Sequence, residues 1–184
     1  MKKIDVILSA ICGLAVSWLA IDFFGSKAWI AFIIFPILSI FCLWILYLLR
    51  QKALFIYQAG KFVLAGAFAD VVDIKAFQLI FLFLPFSLPV KAISFIIGTF
   101  VKYFSDKHWS FEKPEPKGMH KEMIKFFIIA LGGMAINVAS FYFYGKLNPV
   151  ILPAKLWQEF SIILAAITAG LWNFIGYKFF VFKK

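Results

Sequence analysis

The feature that most constrains this chain is a series of six apolar runs, most of them long enough to cross a lipid bilayer. A membrane-spanning helix needs about 20 apolar residues at about 1.5 Å of rise per residue. The runs cover residues 4–24, 28–49, 62–84, 88–104, 123–144 and 160–177. The sequence therefore predicts an all-α integral membrane protein with six transmembrane helices.

Composition excludes a water-soluble domain. Of the 184 residues, 64% are hydrophobic and 15% are charged, and 25 are Phe. A soluble domain is about half apolar and about a quarter charged, and a chain of this length leaves a large part of its surface outside the core. Lipid is therefore the solvent that these side chains require.

The placement of basic residues predicts the topology. The net charge of +10 comes from 19 Lys and Arg against 9 Asp and Glu. With a cytoplasmic N-terminus, 14 of the basic residues fall on the inner side and four on the outer side, and Lys75 is left inside a span. Because cytoplasmic loops carry the excess of Lys and Arg, we predict a multi-pass protein of the inner (cytoplasmic) membrane with both termini in the cytoplasm.

The residue types also limit the chemistry. Basic residues between apolar runs favour an anionic leaflet or a phosphate head group as partner, rather than nucleic acid. Cys12 and Cys42 lie inside apolar runs and are expected to be packed thiols, while His108 and His120 share a loop without metal-ligand spacing. No catalytic motif is visible. We therefore predict no enzymatic activity, no catalytic residues, no metal and no cofactor.

The second part of the chain contains an internal repeat. Lys61-Phe62 recurs as Lys125-Phe126, each pair at the opening of an apolar run, and this alignment sets Asp73 against Asn137. The segment 102–111 aligns with 173–182, each with an aromatic, basic, aromatic pattern. The last four helices are therefore predicted to be a duplicated two-helix hairpin, with repeats 61–113 and 122–184.

The ends of this repeat resemble a known family. Residues 173–182, N-F-I-G-Y-K-F-F-V-F, resemble the N-F-x-x-N-R-x-W-x-F close of GtrA-like membrane proteins. Residues 61–66 followed by Asp73 resemble the R-F-x-x-V-G … D opening of the same family. The chain departs from the pattern with Lys107 and Lys178 where Arg is usual. We assign residues 56–184 to a GtrA-like four-helix domain and 1–55 to two extra N-terminal transmembrane helices.

The resemblance implies a function and its partners. GtrA-like proteins are thought to flip polyprenyl-phosphate-linked sugars across the cytoplasmic membrane, for glycosylation of cell-envelope polysaccharide or teichoic acid. Two alternatives stay open: a non-transporting scaffold or anchor for a polyprenyl-phosphate glycosyltransferase, and the small-solute binding subunit of an importer. The expected partners are the membrane, the polyprenyl-phosphate sugar and a membrane glycosyltransferase, and a homodimer is left open.

The third apolar run carries the first group of candidate binding residues, Asp70, Asp73 and Lys75. An ionisable side chain at the bilayer centre costs about 2.5 to 3.5 kcal/mol even on mild insertion scales, so such residues are functional by default. We predict that they line a polar pathway for the sugar, with Asn137 at the repeat-related position. The alternative interpretation is that they pair with neighbouring helices to hold the bundle together.

The second group of candidates lies at the predicted inner surface. Lys102, Lys107, Asn173 and Lys178 are placed where the phosphate of a lipid sits in the cytoplasmic leaflet. Lys holds a phosphate as a point charge, without the two-pronged geometry of Arg. The alternative is that these residues are ordinary topology anchors, which are also basic and aromatic.

Overall fold

A computed structural model describes residues 1–51, 53–113, 118–147 and 153–182. The described residues form six α-helices: α1 Lys3–Phe24, α2 Ala31–Leu48, α3 Leu54–Phe81, α4 Ser87–Ser105, α5 Met119–Leu147 and α6 Ala154–Gly176. A 3₁₀ segment, Gly25–Ile30, joins α1 to α2, and α4 and α6 each continue into a π-helical turn, Asp106–Ser110 and Tyr177–Val181. No strand occurs in these ranges, and the predicted all-α architecture with six helices is confirmed.

The helices differ in how apolar they are. Among the described residues, four segments are long and apolar enough to cross a membrane: Lys3–Asp22, Ala28–Leu48, Met119–Leu147 and Phe160–Val181. Helices α3 and α4, which carry four of the eight candidate binding residues, are not among these four. The chain is therefore a multi-pass membrane protein, and spanning by all six helices stays a prediction.

The chain divides into two compact units, Met1–Pro114 and Glu115–Lys184. In the first unit, α1 and α2 pack on α3, and α3 pairs with α4. The second unit is the antiparallel pair of α5 and α6. Both N-terminal helices pack against α3. The domain boundary predicted between residues 55 and 56 stays a prediction.

Small and hydroxyl-bearing residues hold α1 against α2. The Ser17 hydroxyl donates a hydrogen bond of 2.8 Å to the Ala31 carbonyl, and the Ser39 hydroxyl donates one of 2.7 Å to the Ser9 carbonyl. A Cβ atom added at Gly13 would lie only 2.5 Å from the Cα atom of Pro36. Close backbone approach and hydrogen bonds replace the hydrophobic effect, which does not drive helix association in lipid.

The first unit has a buried core drawn from four elements. Its members are Cys12 of α1, Leu43 of α2, Tyr57 and Ala65 of α3, and Trp109 of the first π-helical turn. Cys12 is a buried free thiol, as predicted, whereas the free thiol of Cys42 is exposed. This core packs α1 against the end of the α3–α4 hairpin where α3 begins and α4 continues into the π-helical turn.

Candidate functional site

Asp73 lies in the seam between α3 and α4. Its Oδ2 atom is 2.6 Å from the Nζ atom of Lys91 on α4. Gly98 lets the two helices approach, since a Cβ atom there would lie 2.8 Å from the Cβ atom of Asp73. The second carboxylate oxygen, Oδ1, is buried without a hydrogen-bond partner. Asp73 thus keeps one acceptor inside the hairpin that can still accept a hydrogen bond.

A second pair of opposite charges lies at the other end of α4. The Nζ atom of Lys102 is 3.3 Å from Oδ2 of Asp106 and 3.9 Å from the ring centroid of Phe62. Both charged atoms are buried, and the contact lacks hydrogen-bond geometry. Gly66 lies directly over the ammonium group, where a Cβ atom would be 3.2 Å from Nζ. The ammonium group therefore keeps unused donors beside a backbone that carries no side chain.

Asp70 lies between these two pairs. It is exposed, it is one helical turn from Asp73, and within the described ranges it makes no hydrogen bond or ion pair. Its carboxylate interacts electrostatically with Lys102, Asp73 and Lys91. We call the set Lys91, Asp73, Asp70, Lys102 and Asp106 the charged face. It runs along the hairpin for about 16 Å between its two lysines, at about 1.5 Å of rise per residue.

The charged face is suited to hydrogen bonding and to charge pairing. Carboxylates accept hydrogen bonds from sugar hydroxyls, and an ammonium group donates to phosphate oxygens. Within the part of the chain that the structure describes, no three side chains of His, Cys, Asp or Glu come together as a metal site. The chemistry available to these residues is therefore recognition of a polar or anionic group.

Lys75 lies apart from the charged face. Its Nζ atom is 2.7 Å from Oδ2 of Asp22 on α1, and Gln78 donates a hydrogen bond of 2.9 Å to the same carboxylate oxygen. The ammonium group also lies 5.1 Å from the ring of Trp18. The structure therefore does not bring Lys75 together with Asp70 and Asp73, and its contacts in this structure hold α3 to α1.

Lys107 and Lys178 occupy matching places in the two π-helical turns. Lys107 is 2% exposed, and its Nζ atom donates a hydrogen bond of 3.3 Å to the Tyr103 hydroxyl. Lys178 is half-buried, with its Nζ atom 5.7 Å from the ring centroid of Phe174. Both ammonium groups lie against an aromatic face one turn earlier, an arrangement that stabilises a cation. Contact of either lysine with a lipid phosphate stays a prediction.

The second hairpin, formed by α5 and α6, carries amide side chains at positions where the first hairpin, formed by α3 and α4, carries charged ones. Asn173, which aligns with Lys102, packs against Gly133, and its Oδ1 atom is buried without a hydrogen-bond partner. Asn137, which aligns with Asp73, is half-buried on α5. The two hairpins therefore differ in charge at aligned positions while keeping polar atoms there.

Sequence reasoning missed a buried cluster around Asp5. This residue of α1 is 1% exposed. Lys61 lies 2.8 Å from Oδ1, the Tyr57 hydroxyl donates a bond of 2.8 Å to Oδ2, and the Trp109 indole donates one of 2.9 Å to Oδ1. The signal was present, because a carboxylate inside the first turn of a membrane helix needs partners. It was overlooked because Asp5 follows two lysines, and a group of charges at that place is typical of residues that set the topology of a membrane helix.

Glu112 extends this cluster toward solvent. It accepts a hydrogen bond of 2.8 Å from Lys2 and one of 3.0 Å from Lys61. Partial burial raises the pKa of Glu112, but the two ammonium groups outweigh it and hold the pKa below its usual range. The pair Asp5 and Glu112 therefore places two negative charges around the buried Lys61.

The second hairpin has an open groove instead of such a cluster. The groove encloses about 340 Å³ and is lined by Lys125, Ile128, Ile129, Trp172, Ile175, Gly176 and Phe180. Gly176 lies against Ile129, and the Trp172 indole donates a hydrogen bond of 3.2 Å to the Ile129 carbonyl. The groove is thus a fixed apolar surface, and Lys125 is the charged residue that lines it.

Other contacts recur in both hairpins. The rings of Phe62 and Phe111 have centroids 6.4 Å apart at an interplanar angle of 51°, and those of Phe126 and Phe182 are 6.1 Å apart at 55°. Each π-helical turn is closed by the backbone N–H of the following Phe, with hydrogen bonds of 2.8 and 2.7 Å. All of these residues stand at aligned positions of the two predicted repeats.

These features define a multi-pass membrane protein with ionisable groups inside a helical hairpin. Residues 61–182 match the family model described as GtrA/DPMS, transmembrane domain. The match covers more than half of the chain, so the protein belongs to this family, which acts in processes involving polyprenyl-phosphate sugars. Helices α1 and α2 precede the matched region. No curated protein and no solved structure matches the chain.

Proposed function

We propose that the protein moves polyprenyl-phosphate-linked sugars across the cytoplasmic membrane. The observation that carries this proposal is the charged face on α3 and α4. Polar atoms left unpaired in an apolar environment are costly, and here Lys102 Nζ and Asp73 Oδ1 are both buried without a hydrogen bond. A ligand with a phosphate and several hydroxyls supplies the hydrogen bonds that these atoms lack.

In the proposed mechanism the head group follows the charged face while the prenyl chain stays in lipid. The phosphate contacts Lys102, and the sugar hydroxyls donate to Asp70 and Asp73. We assign the phosphate to Lys102 in preference to Lys107, because the Lys107 ammonium group is bonded to Tyr103 inside the protein. Hydrogen bonds to the charged face lower the free-energy cost of taking the sugar out of water.

We also propose that the two hairpins are copies of one unit with divided roles. The matching π-helical turns and Phe pairs support the duplication. In this view the first hairpin binds the charged head group, while Asn137 and Asn173 give the second hairpin neutral hydrogen-bonding groups. The excess of inner lysines supports placing both termini in the cytoplasm of a cell with an inner membrane.

The proposal is tested by lipid translocation in proteoliposomes that contain a fluorescent polyprenyl-phosphate sugar. Asp70→Asn is the most informative variant, because Asp70 makes no hydrogen bond or ion pair among the described residues, and we expect the variant to keep its fold. We expect translocation to fall by about tenfold, because the amide still accepts a hydrogen bond but lacks the charge that strengthens it. Asp22→Asn, which removes a carboxylate bound to Lys75, is the matched control and retains translocation.

Two results would contradict the assignment. Translocation by Asp70→Asn at the rate of the unmodified protein would exclude the charged face as the pathway. An unmodified protein that does not translocate lipid, but is required for envelope glycosylation, would exclude transport altogether.

The second outcome would favour a scaffold for a membrane glycosyltransferase. One observation supports this second candidate: α1 lies outside the family match, yet it packs on α3 through the Asp5–Lys61 and Asp22–Lys75 ion pairs. The first hairpin of this chain is thus a surface that binds another membrane helix. A glycosyltransferase that co-purifies with a protein unable to translocate lipid would identify this role.

A further inference from the structure

Aligned residues form a surface that is buried in the first hairpin, α3 and α4, and exposed in the second hairpin, α5 and α6. Lys61 and Trp109 of the first hairpin are buried beneath α1. The residues that align with them, Lys125 and Phe180, are exposed, and both line the groove of the second hairpin. Phe180 is 67% exposed where Trp109 is 6% exposed. The groove therefore corresponds to the place that α1 fills in the first unit.

Helix α1 fills that place with one face. Asp5 binds Tyr57 and Lys61, while Leu8 and Cys12 pack in the apolar core beneath them. These α1 positions follow the i, i+3, i+7 spacing by which a helix anchors itself in a groove. The covering helix thus offers a carboxylate near its inner end, followed by apolar anchors.

The second hairpin presents the complement of such a helix. Lys121 and Lys125 stand on α5 at the positions that align with Tyr57 and Lys61, four residues apart on one face. Both lysines are exposed, and within the described ranges neither takes part in a hydrogen bond or an ion pair. Beyond them lies the groove of about 340 Å³, with walls of Ile, Trp and Phe.

We propose that this groove is a docking site for one transmembrane helix of another membrane protein, a helix that carries a carboxylate near its cytoplasmic end. The carboxylate binds Lys121 and Lys125 as Asp5 binds Tyr57 and Lys61. Apolar side chains three and seven residues further along enter the groove, as Leu8 and Cys12 enter the core of the first unit. The proposal rests on the alignment of the two hairpins and is independent of transport.

The probe is a synthetic peptide that copies residues 1–24, because α1 is a helix with the required chemistry. The receptor is the full chain in lipid nanodiscs, with Cys12 and Cys42 changed to Ala and with Ile129→Cys in the groove. Ile129 aligns with Ala65, which belongs to the same core cluster as Cys12 in the first unit. We expect Cys12 of the peptide to form a disulfide with the new cysteine under mild oxidation.

Charge complementarity supplies the specific test. Changing Asp5 of the peptide to Asn should lower the disulfide yield by about tenfold, since the negative charge that pairs with the two lysines is lost. The receptor variant Lys121→Glu with Lys125→Glu should lose the disulfide with the unmodified peptide and regain it with an Asp5→Lys peptide. Lys146→Glu, at the other end of α5, is the matched control and should bind the unmodified peptide normally.

Three outcomes would overturn the proposal. The first is no disulfide with the unmodified peptide. The second is an equal yield with the Asp5→Asn peptide, which would mean contact without recognition. The third is loss of the disulfide in nanodiscs that contain polyprenyl phosphate at a level below that of the peptide, because the groove would then be a lipid site. Thermal unfolding of each receptor variant establishes that all of them are folded.

Discussion

The hairpin of α3 and α4 and the hairpin of α5 and α6 have similar backbone structure but differ in charge and in whether other helices cover them. Both end in a π-helical turn, and both hold a tilted Phe pair beside that turn. The first hairpin carries the charged face and is covered by α1 and α2. The second replaces the charges by amides at Asn137 and Asn173 and leaves an apolar groove open.

This difference shows how a membrane hairpin tolerates buried charge. Lys61 is buried because α1 brings the carboxylate of Asp5 to it, whereas Lys125 at the aligned position stays exposed. A buried cation needs a paired and hydrogen-bonded partner, because lipid offers neither. The burial of Lys61 therefore depends on α1. Loss of either Asp5 or Lys61 leaves the other charge buried without its partner, which lowers the stability of the fold.

The largest expected effect on stability comes from breaking the ion pair between Asp5 and Lys61. Lys61→Ala leaves Asp5 buried without its cation, and removal of one partner of a buried pair destabilises a protein by about 3 to 5 kcal/mol. Lys125→Ala, the aligned exposed change, should shift stability by less than about 0.5 kcal/mol. Thermal unfolding in detergent measures both, and equal shifts for the two variants would show that the hairpins do not differ in this way.

A smaller effect is expected from the helix seam. Gly98→Ala forces a methyl group against Asp73, and overpacking of this kind costs about 1 to 3 kcal/mol. The second hairpin already has Ala169 at the aligned position. Gly170→Ala is the control, because no atom lies within 4 Å of its added Cβ, and it should be neutral or stabilising. A neutral Gly98→Ala would mean that the α3–α4 seam is looser than this structure shows.

The smallest expected effect is a pH dependence confined to the first unit. The pKa of Glu112 is held below its usual value of 4.5 by Lys2 and Lys61, so its ionised form stabilises the folded state. That stabilisation is complete above about pH 4.5 and is lost as the pH falls through the lowered pKa. The difference in melting temperature between the unmodified protein and Glu112→Gln should therefore shrink between pH 6 and pH 3. A constant difference would contradict the assignment.

Much of the fold was accessible from sequence. Apolar runs of about 20 residues identify membrane helices because lipid demands that length, and the six runs became six helices. Repeated Lys-Phe openings and aromatic endings predict a duplicated hairpin, and the duplication stays a prediction. The π-helical turns were not predicted, since the extra residue in such a turn leaves no periodic signal in so short a segment.

The candidate site was predicted less completely, because its contacts join residues that lie far apart in the sequence. The unusual charge content of α3 pointed to Asp70 and Asp73, both on the charged face. The same signal pointed to Lys75, which is bound to Asp22 of another helix. Helical spacing shows which residues share a face, but it does not show which neighbouring helix that face meets. The Asp5 cluster, drawn from three distant segments, could not be found by spacing.

The Asp5 cluster has a consequence for the way the chain enters the membrane. The carboxylate of Asp5 is synthesised first, whereas the Trp109 indole that donates to it belongs to a turn more than a hundred residues later. Tyr57 and Lys61 are made midway through that interval, so until the turn is complete the carboxylate has only part of its final set of contacts. We expect chains that stop before the first π-helical turn to be recognised by membrane quality-control proteases, because their Asp5 cluster lacks the indole donor.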